Sequence, residues 1–158
     1  MKTAVLAFGS LSEPYWKAAQ AEYVRRLAPM WPLTVTELPE ARLPASPSDA
    51  EIRAALAKEA EIMRGRIPAR SYVIALCVKG DGITSEALSA RMERAAAAHP
   101  TVAFLIGSSY GMDPALEKEA DFRLSLSALT LPHQLARVIL CEQIYRAAMI
   151  AAGRTYHK

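Results

Sequence analysis

An α/β sandwich around a mainly parallel sheet is the fold predicted for this 158-residue chain. Three observations predict it. Short apolar runs alternate with helical patterns from end to end. TAVLAF (3–8), YVIALCV (72–78) and VAFLI (102–106) are continuously apolar, as a strand covered on both faces must be. Each of these runs leads into a loop containing glycine.

Taken in order, TAVLAF is a strand closed by Gly9 and Ser10. From Pro14 to Leu27, Trp16, Ala19, Tyr23 and Leu27 recur at helical spacing, with Arg25 and Arg26 turned outward. LTVTEL (33–38) alternates as a second strand, and Pro39 to Asp49, with three prolines, is a loop. Ser48 or Asp49 caps a helix over roughly 49–65 that ends at Gly65. The third strand (72–78) reaches Gly80-Asp81-Gly82. Thr84 or Ser85 then caps a helix to about Ala98, closed by His99-Pro100. After the fourth strand come a short helix near 114–119, a fifth strand FRLSL (122–126) and a final helix over about 133–151.

The length suits one domain over residues 1–158, able to bury a core without disulfides or metal. With 52% apolar and 22% charged residues, the chain is not of the disordered class. Cys77 and Cys141 sit inside apolar runs without a spacing pattern, as core thiols of a reducing cytoplasm do. The opening MKTAVLAF is too short for a signal h-region, so it reads as a strand, and no apolar run approaches the ~20 residues of a membrane span. The three histidines lack metal-ligand spacing, so no metal is implied. Net charge is +3, and from Pro132 onward Arg137, Arg146, Arg154 and Lys158 face only Glu142. That end is either a solvated helix face or a footprint for a polyanion such as RNA.

Four segments could carry chemistry. Gly107-Ser108-Ser109-Tyr110-Gly111 follows the fourth strand, and its small residues would let backbone approach a ligand or simply make a turn. No Walker A sequence and no G-x-G-x-x-G occurs. Ser125 to Pro132 (SLSALTLP) is either a connector or a ligand-clasping loop whose backbone would face an adenine ring. On the last helix, His133 and Arg137 are i,i+4 neighbours, and Val138, Leu140, Cys141, Ile144 and Ala148 form its buried side. The tail Gly153 to Lys158 gathers a cation, a phenol and an imidazole, suited to phosphate contact, base stacking and proton transfer, or to a frayed terminus.

FLIG-x-x-x-G, LSLSALTLPH-x-x-x-RV, E-Q-x-YRA and the terminal YHK together resemble the bacterial RlmH/YbeA family of ribosomal RNA large-subunit methyltransferases. The resemblance runs end to end, including EY-x-x-R-L (22–27) and L-x-x-x-G-x-x-x-x-S-E-x-L (76–88). It implies a SPOUT-type α/β fold with a deep trefoil knot, and a homodimer packed through the knot region. It also implies transfer of a methyl group from S-adenosylmethionine to N3 of a pseudouridine in large-subunit rRNA. For so small a protein with no RNA-binding appendage, the assembled ribosome is the expected substrate, because it would supply the missing recognition surface. Carried over by motif, the cofactor contacts fall on Leu76, Gly107, and the run Leu126, Ser127, Ala128, Leu129, Thr130 and Leu131. The family typically has I-G-G where this chain has Ile106-Gly107-Ser108. If that second glycine serves a backbone angle reserved for glycine, Ser108 is strained by roughly 1 kcal/mol or more.

Methyl transfer needs an acceptor nitrogen held close to the methyl and relieved of its proton, so most of the acceleration comes from positioning. His133 and His157 are the candidate bases, and Tyr156 would stack or orient. Arg137, Arg146 and Arg154 would hold phosphates or stabilise the deprotonated ring, with Arg25, Arg26 and Lys158 extending that surface. Two other classes fit less of the chain. A catalytically inactive RNA- or ribosome-binding protein would retain the fold, with Ser108 as its support. A small-molecule α/β enzyme would leave the basic tail unexplained.

Overall fold

The computed structural model describes residues 1–156; His157 and Lys158 lie outside the described residues. The elements are β1 (Lys2–Phe8), α1 (Pro14–Leu27), β2 (Leu33–Leu38), α2 (Asp49–Arg64) and β3 (Tyr72–Gly82), then α3 (Ser85–Ala96), β4 (Thr101–Ile106), α4 (Pro114–Glu119), β5 (Phe122–Ser125) and α5 (His133–Ala151). The strands form one parallel sheet in the order β2-β1-β4-β3-β5. The α/β class read from the sequence is the class observed.

Period-two alternation explains the two layers. Val5, Ala7, Val102 and Phe104 face α1, α3 and α5, where Leu27, Leu88, Met92, Leu140 and Ile144 cover them. The intervening Leu6, Phe8, Ala103 and Leu105 face α2 and α4, packing on Ala60, Met63 and Leu116. β4 is buried at all six positions, so it has no polar face to spare. Each such Leu or Phe contributes about 1.5–3 kcal/mol by leaving water.

Local chemistry sets the helix starts. Ser48 closes a capping box: its hydroxyl accepts from Glu51 N–H at 3.3 Å, and its own N–H donates to the Glu51 carboxylate at 2.8 Å. At α3 the cap is Thr84, accepting from Ala87 N–H at 3.2 Å. That helix stops at Ala96, two residues early, because Ala97 to His99 tighten into turns on Arg94 and Ala95.

The largest departure from expectation is β3, which continues to Gly82. Leu124 of β5 pairs with Leu76, and after a bulge it pairs again with Asp81. Between the two pairings the chain passes hard against β5: a Cβ on Gly80 would lie 2.7 Å from the Leu124 carbonyl carbon. The end of β5 therefore sits in the crook of β3. From there residues 126–132 lead to α5, which packs beside α1 and α3. The trefoil knot implied by the resemblance is consistent with this connectivity. None of the described helices is long and apolar enough to cross a membrane.

Candidate active site

The C-terminal ends of β3, β4 and β5 open on one side of the sheet into a cleft of about 210 Å³. Ligands collect at strand ends in parallel α/β sheets for a geometric reason: loops splay apart there and leave backbone groups free. Leu76, Gly107, Leu126, Ser127, Leu129, Thr130 and Leu131 all line the cleft, together with His133. Ala128 lies in the same loop but is exposed and outside the lining. Sequence reasoning missed Cys77, Val78, Met112, Glu117 and Ala136, which complete the walls.

Two loops shape this cleft. In the glycine loop, Ser108 N–H donates to Gly111 O and Gly111 N–H donates to Ser108 O, each at 2.9 Å. That closes a turn so tight that a Cβ on Gly107 would sit 2.2 Å from Gly111 O. In the second loop, Ser125 Oγ donates to Ser127 O at 3.0 Å and Leu129 N–H donates to Ser127 Oγ at 3.0 Å. Among the described residues, 128–131 make no backbone–backbone hydrogen bond. Apart from Leu129 N–H, which donates to Ser127 Oγ, their peptide groups are left for water or a ligand. Leu129 is 77% exposed and Val78 is 73% exposed, so the cleft rim presents apolar side chains to solvent.

This lining fits S-adenosylmethionine. Leucines and Ile106 offer apolar walls to an adenine ring, and unpaired peptide groups offer hydrogen bonds to its edge. Glu117 supplies a carboxylate beside the cleft for a cationic sulfonium or ammonium. Burial, together with the Glu117 charge, pushes the Cys77 thiol up to about 12, so it stays neutral and unreactive.

The strain expected at Ser108 is absent. Arg70 is the non-glycine residue with positive φ among those described, and Gly111, at φ +92°, takes the left-handed position of the turn. Ser108 is buried instead, and its hydroxyl donates to Glu59 Oε2 at 2.8 Å. Glu59 is 4% exposed on α2, and its Oε1 accepts from Ala41 N–H at 2.8 Å. The sequence carried a signal for this pair. Ala55, Leu56, Ala60 and Met63 form the apolar stripe of α2, and Glu59 stands within it.

His133 opens α5 half-buried, with Nε2 3.6 Å from where a Cβ of Gly9 would lie. Arg137 differs from expectation. It shares the buried stripe with Leu140, Cys141, Ile144 and Ala147 and is 0% exposed. Its guanidinium donates to Glu37 Oε1 at 2.7 Å, Phe8 O at 3.1 Å and Gly9 O at 2.9 Å. With no solvent face in this chain, Arg137 ties the end of β1 to β2 and to α5 rather than offering a charge to phosphate. Val138 is half-buried rather than part of that stripe.

The other basic candidates gather at the far end of α5. Arg25 and Arg26 pair with Glu22 at 2.8 and 2.6 Å, and those hydrogen bonds pull the Glu22 carboxyl down to about 2. Arg146 pairs with Glu142 at 2.6 Å and lies 4.9 Å from the Tyr156 ring centroid, which is itself 4.9 Å from Tyr145. Arg26 lies over Tyr145 at 5.7 Å, and Arg154 is exposed. His133 and Arg146 are separated by about 20 Å of helix rise. One chain therefore does not bring this cluster to the cleft. His157 and Lys158 lie outside the described residues.

Among known proteins, the family described as predicted SPOUT methyltransferase matches residues 1–157. Proteins named ribosomal RNA large subunit methyltransferase H are similar over the full length of both chains. That of Ruminiclostridium cellulolyticum is 43% identical, that of Streptococcus suis 41% and that of Limosilactobacillus reuteri 40%. The solved structure of a methylase family protein from Neisseria gonorrhoeae superposes with a TM-score of 0.54 at 14% identity, covering 91% of this chain and 81% of that one. That last likeness is one of fold.

Proposed function

This chain belongs to the SPOUT methyltransferase family, and we propose that it methylates N3 of a pseudouridine in large-subunit ribosomal RNA, as a cytoplasmic homodimer acting on the assembled ribosome. The observation that carries the reading is the cleft where the glycine loop and residues 124–131 meet the bend of β3. The names of the full-length relatives support rRNA as the acceptor.

When bound, S-adenosylmethionine would supply an electrophilic methyl group to N3, with the sulfonium leaving as a neutral thioether. Gly107 and Leu126–Leu131 would hold the cofactor, with Leu76 beside them at the bend of β3. His133 lines the cleft and is the base candidate there, which would take the N3 proton. Arg137 orients it indirectly, by locking the first turn of α5 to the end of β1.

A dimer supplies what one chain lacks. The exposed Val78 and Leu129 give the cleft rim an apolar surface to cover. An antiparallel pairing of α5 helices would carry the partner's Arg146–Tyr156 cluster toward the cleft. There Arg25 and Arg26 would exchange Glu22 for phosphates, an exchange that exposed ion pairs permit cheaply, and the half-buried Arg146 and exposed Arg154 would extend that surface. The inactive-binder alternative rested on a strained Ser108, and that strain is absent.

The test is transfer of labelled methyl to 70S ribosomes, 50S subunits and naked rRNA, alongside light scattering of the free protein. Label on 70S particles and a mass of two 17.2 kDa chains are expected. Equal labelling of naked rRNA by a monomer would overturn both the ribosome and the dimer.

A further inference from the structure

Behind the glycine loop lies a second cavity of about 230 Å³, separated from the cofactor cleft by Ser108, which lines both. Its walls are Glu40, Ala41, Leu43 and Pro44 of the proline-rich loop, the Ile52–Glu59 face of α2, and Ser109 and Tyr110. Tyr110 stands at its mouth half exposed. Among the described residues the lining holds two carboxylates, Glu40 and Glu59, and no Lys or Arg. No three metal-ligating side chains converge anywhere among those residues. Such a pocket repels phosphate and suits a neutral ring that presents N–H donors.

Glu59 is the group that would read such a ring. A carboxylate offers about four lone-pair positions, and two are taken, by Ala41 N–H and Ser108 Oγ–H. The two occupied bonds fix the carboxylate against rotation while its remaining lone pairs stay available. It is 4% exposed, so water competes weakly there.

We propose that this cavity receives the acceptor base and that Glu59 selects pseudouridine over uridine by accepting a hydrogen bond from N1–H. The inference rests on the function proposed above. In uridine N1 carries the ribose and has no hydrogen. In pseudouridine the ribose is on C5, so N1–H is free and lies two ring positions from N3. A base seated with N1–H toward Glu59 turns N3 toward the neighbouring cleft, past Ser108. The ring face meets Tyr110 at the mouth, where an aromatic platform stacks any base without reading it. A site built around a hydrogen bond rejects the analogue lacking the donor, because its own buried acceptor is then left unpaired. Glu59 is therefore a specificity-determining residue, and the Ser108 hydroxyl is what holds it in place.

The test compares kcat/KM on two substrates for wild type, Glu59→Gln and Tyr110→Ala. One substrate is ribosomes lacking only this methylation; the other also lacks the pseudouridine synthase and so carries uridine at the acceptor position. Glutamine is nearly isosteric: its carbonyl can still accept from Ala41, and the Ser108 hydroxyl can rotate to accept from its amide. Wild type should favour pseudouridine by about a hundredfold or more. Glu59→Gln should lose about tenfold to a hundredfold on pseudouridine, collapsing that ratio, with S-adenosylmethionine affinity retained by calorimetry. Tyr110→Ala should slow both substrates by the same factor and leave the ratio intact. A preserved ratio in Glu59→Gln overturns the assignment while the methyltransferase reading stands. Loss of cofactor binding in that variant also overturns it, reassigning Glu59 to support of the glycine loop. Failure of wild type on both substrates removes the function itself, and that failure is visible without any variant.

Discussion

Replacing Arg137 by Met removes a guanidinium from the core while keeping an unbranched apolar stem. In the native chain three acceptors take hydrogen bonds from it: Glu37, Phe8 O and Gly9 O. Their losses are unequal. The Glu37 side chain is 41% exposed and recovers water, so its share is small. The buried Phe8 carbonyl and the half-buried Gly9 carbonyl just beyond β1 lose charge-assisted bonds, each worth about 1.5–3 kcal/mol. Against this, Met also relieves Arg137 Nε, which is buried without a partner. The net expectation is a loss of about 3 kcal/mol, a large part of a total stability of roughly 5–15 kcal/mol. In thermal terms that is about 6–12 °C for a chain of this size. Equilibrium urea unfolding at one fixed protein concentration measures it, because a dimer's midpoint moves with concentration. A loss below about 1 kcal/mol with methyl transfer abolished would refute the reasoning and return Arg137 to direct contact with substrate.

Three further outcomes follow from the same geometry. Gly107→Ala places a Cβ against Gly111 O, so it should lower S-adenosylmethionine affinity more than tenfold and cost about 2 kcal/mol or more of stability, read by calorimetry and melting. Cys77 and Cys141, both pushed up to about 12 by burial, should hold about a thousandfold less thiolate than free thiols and resist alkylation at pH 8 until urea is added. The Glu22 carboxyl is lowered from 4.5 to about 2 by Arg25 and Arg26. Glu51 and Glu119 are lowered too, by hydrogen bonds from Ser48 and Arg64. A lowered folded-state value means stability that is present above pH 4.5 and fades as pH falls toward 2, so the melting temperature should decline across that window and hold steady above it.

How much of this was legible in the residues depended on the range of the interaction. Element boundaries followed from local rules: a cap at Ser48 or Asp49 and the Gly65 stop placed α2 to within a residue. The cleft was legible as two loops, since small residues after a strand mark close backbone approach. What stayed hidden was set by partners distant in sequence. Arg137 is silent in the chain because its acceptors lie about 100 residues or more away, at Glu37, Phe8 and Gly9. The β3 bend around Leu124 likewise needs β5 to exist first. The Ser108 case runs the other way. A family pattern suggested a strained backbone, whereas the structure gives the side chain a buried carboxylate to hold. Glu59 itself was detectable as an acid on an apolar helical stripe, and attention to polar residues at core spacing would have found it.

The central claim is tested most directly on the nucleoside. Ribosomes from cells lacking this gene are incubated with the purified protein and labelled S-adenosylmethionine, and the digested rRNA is resolved by mass spectrometry. The account predicts label in one nucleoside, N3-methylpseudouridine, from the large subunit. Label in any other nucleoside, or in the small subunit, would contradict it.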